Sequence, residues 1–202
     1  MLYHVQRDER CRPVSLNRKQ ITENLCRNVC QGYLSAVFEQ LKGLEDVDAL
    51  VLELACKEKI ASGNDTSIAD VVFESSQPLG ISRVAFDESL EILNRNHFIK
   101  SLDGIGRKVG YFRIGEFYFD QFLHKHLNTY DDVVRQIGLA ILNQELCGTQ
   151  EIANSVGQPH VVVNHLLDEM GRRRLFKVHR TGKDRLVSQV SPELKRAVTK
   201  DL

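Results

Sequence analysis

Apolar residues recur every three or four positions along several segments of the chain, which is the spacing that places them on one face of a helix. The longest such segment runs from Asn17 to Leu44 and contains glycine only at Gly32 and, near its end, at Gly43. Its apolar residues are Ile21, Leu25, Val29, Tyr33, Val37, Leu41 and Leu44. We predict one long amphipathic helix here, whose apolar face packs on its own chain, on the next domain or on a second copy.

After this segment, shorter elements follow in a definite order. The predicted elements are a helix over 46–59, a second helix over 66–74 capped by Asp65, a turn over 77–80, a third helix from Ser82 to Asn96, strands over 98–100 and 109–114 joined by a hairpin at 103–106, and a helix over 116–126.

The same order of elements then returns. The predicted elements are a helix over 131–145, a short helix over 150–156 capped by Thr149 and ended by Gly157, a helix over 159–170, strands over 175–179 and 185–190, and a final helix that starts at 191–193.

Residue matches support a repeat. Residues 68–70 (Ile-Ala-Asp) match residues 152–154 (Ile-Ala-Asn) 84 positions later, whereas Leu90 and Lys100 match residues 77 positions later. The difference predicts an insertion at 75–81 in the first copy. We therefore divide the chain into a segment over 1–45 with the long helix, a first unit over 46–127 and a second unit over 128–202.

The second unit resembles the winged helix-turn-helix domains of bacterial transcriptional regulators. Residues 149–157 (TQEIANSVG) look like the second helix of such domains, 159–170 (PHVVVNHLLDEM) is similar to their recognition helix, and 175–178 (LFKV) resembles the strand that leads into the wing. The resemblance implies a mainly α fold with small β-hairpins (α+β), in which two tandem winged-helix units follow the long helix. Arg174 departs from the pattern, because such proteins usually carry Gly just before the wing strand.

The resemblance also implies a DNA-binding surface. The recognition helix would enter the major groove with its apolar residues Val163, Leu166, Leu167 and Met170 turned inward, while the wing would meet phosphates or the minor groove. A backbone amide at the helix that starts at Thr149 would bind one more phosphate. The residues expected to contact DNA are Thr149, Gln158, His160, Val161, Asn164, His165, Arg172, Arg173, Lys177, Arg180, Lys183 and Arg185.

Charge is distributed unevenly along a chain whose 27 basic and 27 acidic residues cancel. Residues 1–45 and 128–202 each carry a net charge of +2, and residues 46–127 carry −4. Residues 172–185 hold seven basic side chains against Asp184 alone. The neutral total therefore hides a local basic patch on the predicted wing.

The first unit does not share the features expected of a DNA reader. The positions that match Asn164 and His165 are Asp87 and Glu88, and two carboxylates on a reading surface would repel DNA. Its wing still contains Arg107 and Lys108, so phosphate contact stays open. We predict that this unit serves dimerisation, packing or partner binding.

Other features of the sequence narrow the class of protein. Five scattered cysteines suggest a reducing cytoplasm rather than a disulfide framework, and neither a signal core nor an apolar run long enough for a membrane span is present. Cys11, Cys26 and Cys30 could hold a metal or sense redox state, although a thiol is more often an apolar filler. No nucleophile, P-loop or paired-carboxylate motif occurs, so we expect neither catalysis nor a cofactor.

The sequence predicts a double-stranded DNA-binding protein that acts as a transcriptional regulator or as a replication or partition factor of a plasmid or phage. A homodimer through the N-terminal helix or the first unit would double the DNA site. The alternative is a winged-helix scaffold that binds proteins and not DNA, which suits the neutral total charge.

Overall fold

The computed structural model describes residues 44–103, 108–127 and 129–199. The predicted helix over 17–44 lies outside these residues except for Leu44, and so do Cys11, Cys26, Cys30 and Arg107. Residues 45–202 cluster into one compact unit. We call residues 46–127 the first half of this unit and residues 129–199 the second half.

The described structure is mainly helical with small antiparallel sheets, as the sequence predicts. The elements of the first half are α1 (Asp46–Ser62), β1 (Ser67–Ile68), α2 (Ala69–Ser76), a 3-10 turn (Gln77–Leu79), α3 (Arg83–Arg95), β2 (Ile99–Ser101), β3 (Tyr111–Ile114) and α4 (Glu116–His126). The elements of the second half are α5 (Tyr130–Asn143), α6 (Thr149–Val156), α7 (His160–Arg172), β4 (Lys177–Thr181), β5 (Asp184–Ser188) and α8 (Pro192–Thr199).

The start of α2 differs from the prediction. Residues Ser67 and Ile68 are extended because they pair with Phe112 and Tyr111 of β3, so the helix begins only at Ala69. Asp65 does not cap it, since its carboxylate accepts a 2.7 Å hydrogen bond from the buried ammonium of Lys59. A sheet contact more than forty residues away in the chain therefore overrides the local capping signal.

The sheets are small and antiparallel. In the first half β3 lies between β1 and β2, with Ile99 opposite Ile114. In the second half β4 pairs with β5, and Gly148 forms a single bridge to Leu186. This bridge lies just before α6, as β1 lies just before α2.

Helices α3 and α7 correspond over their full length. The first runs from Arg83 to Arg95 and the second from His160 to Arg172, so both limits differ by 77 positions. The turns after them also correspond, because His97 and Arg174 both have left-handed backbones, with φ of 63° and 61°. The backbone at Arg174 thus adopts the conformation for which glycine is usual, and its N–H donates to the carbonyl of Gly171 at 2.9 Å.

The match that the sequence suggests for the short helices is wrong by one helical turn. Both α2 and α6 contain eight residues, and they begin at Ala69 and Thr149, which lie 80 positions apart rather than 84. The first half therefore carries three extra residues before α3, which correspond in number to the 3-10 turn over Gln77–Leu79. The Ile-Ala identity that suggested the larger offset is a coincidence of composition.

Each half has its own apolar core. The first is built from α1, α3, β3 and α4 and the second from α5, α6, α7 and α8. Fully buried side chains of the first half include Val51, Phe86, Leu90, Leu93, Phe112 and Phe119, and those of the second include Ile137, Ile152, Leu166, Leu167 and Leu194. At Gly138 the helices α5 and α8 approach so closely that a Cβ atom would lie 2.7 Å from Cγ2 of Val198.

Candidate nucleic-acid interface

Helix α7 is the predicted recognition helix. Pro159 stands just before its first residue, where the φ of about −60° that proline imposes is compatible with the start of a helix. The helix continues to Arg172, two residues beyond the predicted end at Met170. Its predicted inward residues are confirmed as buried: Val163, Leu166, Leu167 and Met170. The helix is therefore anchored in the core as expected.

Two of the residues expected to face DNA are buried instead. Val161 is 5% exposed and His165 is 8% exposed. Nε2 of His165 lies 3.0 Å from Oδ1 of Asp120, and its imidazole ring meets the ring of Phe119 edge to face with centroids 5.2 Å apart. The expectation that Val161 and His165 point outward is wrong, because Val161 is buried and His165 packs against Asp120 and Phe119 of the first half.

The carboxylate of Asp120 is the centre of this contact. Its Oδ1 accepts a 2.9 Å hydrogen bond from the hydroxyl of Tyr130, and His124 lies 3.7 Å from its Oδ2. Burial by itself would raise the pKa of Asp120, but the hydrogen bonds from His165 and Tyr130 outweigh it and hold the pKa below its ordinary value. Asp120, on α4, is therefore held in its charged form, and its hydrogen bonds to Tyr130 and His165 connect α4 to α5 and α7.

The next side of α7 is covered by the hairpin of β4 and β5. The amide nitrogen of Asn164 donates to the backbone carbonyl of Lys183 at 2.8 Å, and Nε2 of His160 lies 2.6 Å from Oδ1 of Asp184. The amide oxygen of Asn164 accepts from the hydroxyl of Thr149 at 2.7 Å. These polar groups, predicted to read bases, are already bonded within the protein.

Thr149 has a structural position that the sequence did not predict. It is the first residue of α6, with Gly148 as the N-cap, and it is fully buried. Its hydroxyl oxygen accepts a 2.8 Å hydrogen bond from the backbone N–H of Arg185. The N–H of Gly148 donates to the carboxylate of Glu151 at 3.4 Å, so a side chain of the same helix lies where the phosphate was expected.

Gln158 lies apart from the other predicted residues. Its half-buried side chain lines a groove of about 470 Å³ along α5, together with Arg135, Gln136 and Leu139. This groove belongs to the side of the second half that α5 forms. Gln158 therefore lies on a different side of the second half from the β4–β5 hairpin, and the two do not form one continuous surface.

Four of the predicted arginines are paired with carboxylates. The guanidinium of Arg185 binds both oxygens of Asp168 at 2.8–2.9 Å, which raises the pKa of that arginine, and Arg180 binds the same carboxylate at 3.0 Å. Arg172 lies 3.1 Å from Glu116 and Arg173 lies 3.1 Å from Glu169. Much of the positive charge seen in the sequence is therefore neutralised within the fold.

Three cations of the basic run are exposed and form no ion pair with any described residue: Arg174, Lys177 and Lys183. Arg174 and Lys177 line a groove of about 530 Å³ between the end of α7, β4 and the start of α4. Arg172 and Arg180 lie in the same groove, opposite two carboxylates, Glu116 and Asp168. The groove has more positive than negative side chains and is open to an anion.

The corresponding helix of the first half, α3, has an open face. Val84 is 67% exposed, and Glu88, Glu91 and Arg95 are exposed at helical spacing after it. Asp87 lies beside this face and is paired with Arg83 at 3.0 Å and with Lys108. The acidic surface that the sequence predicts for this helix is thus present at Glu88 and Glu91.

Sequence reasoning missed the carboxylates that organise this region. Asp120 and Glu116 lie 45 and 56 positions before their partners His165 and Arg172, and no spacing rule relates residues so far apart. Asp168 gave a weak signal, because Asp168 and Glu169 are two adjacent acids just before the basic run over 172–185.

Comparison with protein-family models, with curated proteins and with solved structures finds no match to this chain. Within the described residues, no helix is long and apolar enough to cross a membrane. The same residues contain no group of three or more His, Cys, Asp or Glu side chains placed to hold a metal ion.

Proposed function

We propose that residues 46–199 form two tandem winged helix-turn-helix units and that the second unit binds double-stranded DNA. The equal lengths of α3 and α7, their common offset of 77 positions and the left-handed turns at His97 and Arg174 support a repeat. The order of elements also supports the proposal, because in each half three helices are followed by two antiparallel strands and a further helix.

The exposed cations Arg174, Lys177 and Lys183 carry the proposal. Lysine and arginine side chains without a carboxylate partner release counterions from DNA when they meet its phosphates, whereas paired ones first lose an internal ion pair. The three side chains lie on or beside the β4–β5 hairpin, next to a groove that also holds Arg172 and Arg180. This surface fits a sugar-phosphate backbone.

The proposed contact is made mainly to the DNA backbone. Asn164 and His160 are bonded to the hairpin, Val161 is buried, and His165 is buried against Asp120 of the first half. Phosphate contacts position a protein on a duplex without carrying sequence information, so we expect modest sequence preference. A regulator of transcription, or a plasmid or phage replication or partition factor, would use such a contact.

A salt titration of binding to a labelled duplex tests the proposal. Lys177→Ala and Lys183→Ala should each lower the salt slope of log affinity by about 1, because each removes one phosphate contact. Lys100→Ala is the matched control, since Lys100 takes the position of Lys177 in the first half and is also exposed. An equal loss in this control, or no binding of the wild-type chain to any duplex at ~50 mM salt, would contradict DNA binding by the second unit.

A second candidate function is protein binding by the first half. It is favoured by a concentration of exposed apolar side chains there: Ile68, Val71, Leu79, Val84, Leu102 and Tyr111. Such residues rimmed by charges are typical of protein interaction surfaces. Binding of a protein partner that is lost in Val84→Ser and Tyr111→Ser, with no duplex binding, would favour this alternative.

A further inference from the structure

A carboxylate of the first half lies between two arginines of the proposed DNA contact. Glu116 is the first residue of α4, and its Oε2 lies 3.1 Å from Nη1 of Arg172. Its Oε1 lies 3.6 Å from Nη2 of Arg180. Both arginines belong to the second half, one at the end of α7 and the other in β4. The two oxygens of one anion thus bridge two guanidinium groups.

Glu116 differs from the other acids that these arginines meet. Arg172 also binds Glu169 of α7 at 3.0 Å. Arg180 also binds Asp168 of α7 at 3.0 Å. The side chains of these two acids are 23% and 12% exposed, whereas that of Glu116 is 55% exposed. The ion pairs of Glu116 are therefore the ones that solvent weakens most.

Glu116 can leave the arginines without disturbing the fold. Exposed ion pairs contribute little to stability, because water and salt screen them. The carboxylate stands in the first turn of α4, where the positive end of the helix stabilises an anion even when no arginine is near. Phe119 and Leu123, which are buried, hold α4 in the core independently of this side chain.

The surroundings of this carboxylate favour a second anion in its place. The groove of about 530 Å³ that contains Glu116 is also lined by Arg174 and Lys177, which are exposed and form no ion pair with any described residue. A phosphate of the DNA backbone carries one negative charge and two free oxygens, as a carboxylate does. Two guanidinium groups that hold a carboxylate through both oxygens can therefore hold a phosphate in the same way.

We propose that the carboxylate of Glu116 occupies the position of one DNA phosphate: a backbone phosphate binds between Arg172 and Arg180 and displaces Glu116. The first half thereby competes with DNA for the second half and lowers its affinity for a duplex. This inference rests on the proposed function, since it concerns the same surface. It adds two paired arginines to the unpaired cations as phosphate contacts.

Binding of a labelled duplex by Glu116→Gln tests the proposal, because this change removes the charge of the side chain and keeps its shape. At ~50 mM salt the variant should bind about fivefold more tightly than the wild type, and the gain should shrink as the salt concentration rises. Glu74→Gln is the matched control, since Glu74 is also an exposed glutamate of the first half but lies outside the groove. Thermal unfolding of each variant checks that the fold is kept.

A second background separates competition at the arginines from a general effect of net charge. In Arg172→Ala the phosphate loses one of the two groups for which Glu116 competes. Adding Glu116→Gln to this variant should therefore raise the affinity by less than about twofold, because the two changes act on one contact and are not additive. A general charge effect would give the same gain in both backgrounds.

The possible results separate this inference from the proposed function. If the wild type binds duplex but Glu116→Gln gains no more than Glu74→Gln, or if its gain is undiminished in the Arg172→Ala background, the competition is overturned and DNA binding stands. If neither the wild type nor Glu116→Gln binds any duplex at ~50 mM salt, the proposed function fails and this inference fails with it.

Discussion

Nε2 of His165 lies 3.0 Å from Oδ1 of Asp120, so a side chain that the sequence places on a DNA-reading surface instead joins the two halves of residues 45–202. The carboxylate also accepts a hydrogen bond from Tyr130 at the start of α5. A single acid on α4 thus binds the helix that opens the second half and the helix that was expected to read bases.

Replacing Asp120 by asparagine should lower the free energy of unfolding by about 1–3 kcal/mol at neutral pH, because a charged acceptor of two hydrogen bonds is lost. The pKa of Asp120 lies below its ordinary value of 3.8 in the folded protein. Its stabilisation is therefore present above about pH 4 and is lost as the pH falls through the lowered pKa.

Urea unfolding of the wild type and of Asp120→Asn at a series of pH values measures this difference. It should be constant near neutral pH and shrink below about pH 4. Asp131→Asn, an exposed acid on α5, serves as the control. A difference that does not change with pH would mean that the charge of Asp120 contributes nothing.

Thr149→Val should destabilise the protein by about 1–3 kcal/mol although the two side chains have nearly the same shape. The change leaves the N–H of Arg185 and the amide oxygen of Asn164 without the hydroxyl that bonds them. Thermal unfolding measures the effect, and Thr181→Val, at an exposed position of β4, should leave the midpoint unchanged. Equal midpoints for the two variants would contradict a structural role for Thr149.

Asp168→Asn should destabilise the second half by about 2 kcal/mol, because Arg185 is only 15% exposed and loses its charged partner. Hydrogen exchange of β5 and α7 should become faster in this variant. Asp184→Asn, whose carboxylate is mostly exposed and meets His160, is the comparison and should have a smaller effect. A larger destabilisation by Asp184→Asn than by Asp168→Asn would contradict the role assigned to the ion pair of Asp168 and Arg185.

Cys56 and Cys147 should differ strongly in reactivity. Burial raises the pKa of the Cys56 thiol to about 12, so almost none of it is thiolate at neutral pH, whereas Cys147 is exposed. Brief alkylation of the native chain followed by peptide mass spectrometry should label Cys147 and leave Cys56 unlabelled. Labelling of both at similar rates would show that α1 opens readily.

Apart from strand β1, the order and type of the described elements follow from local signals in the sequence. The start of α3 is set by Ser82, whose side chain accepts a hydrogen bond from the N–H of Ala85, and the start of α7 by Pro159 before its first residue. The start of α2 could not be predicted from local signals, because the pairing of Ile68 with Tyr111 competes with the cap expected at Asp65. Local propensity decides a helix limit only where no strand from elsewhere takes the same residues.

The candidate interface is less readable from the sequence than the fold. The residues His160, Asn164 and His165 have the same polar character on a free helix as on a buried one. In the structure each forms a hydrogen bond with a residue 19 to 45 positions away. The partners of these three residues are Asp184, Lys183 and Asp120, respectively. A polar pattern predicts that a side chain needs a hydrogen bond, and it does not say whether DNA, water or the protein provides it.

The sequence by itself therefore determined most of the elements, the inward positions Val163, Leu166, Leu167 and Met170 of α7 and the existence of a basic run, because these depend on spacing along the chain and on local backbone preferences. Only the tertiary structure decided which faces are open. Helix α7 is covered by α4 and the hairpin, while its counterpart α3 keeps an exposed face headed by Val84. Two helices of equal length and similar pattern acquire different surfaces because docking depends on which other part of the chain reaches them.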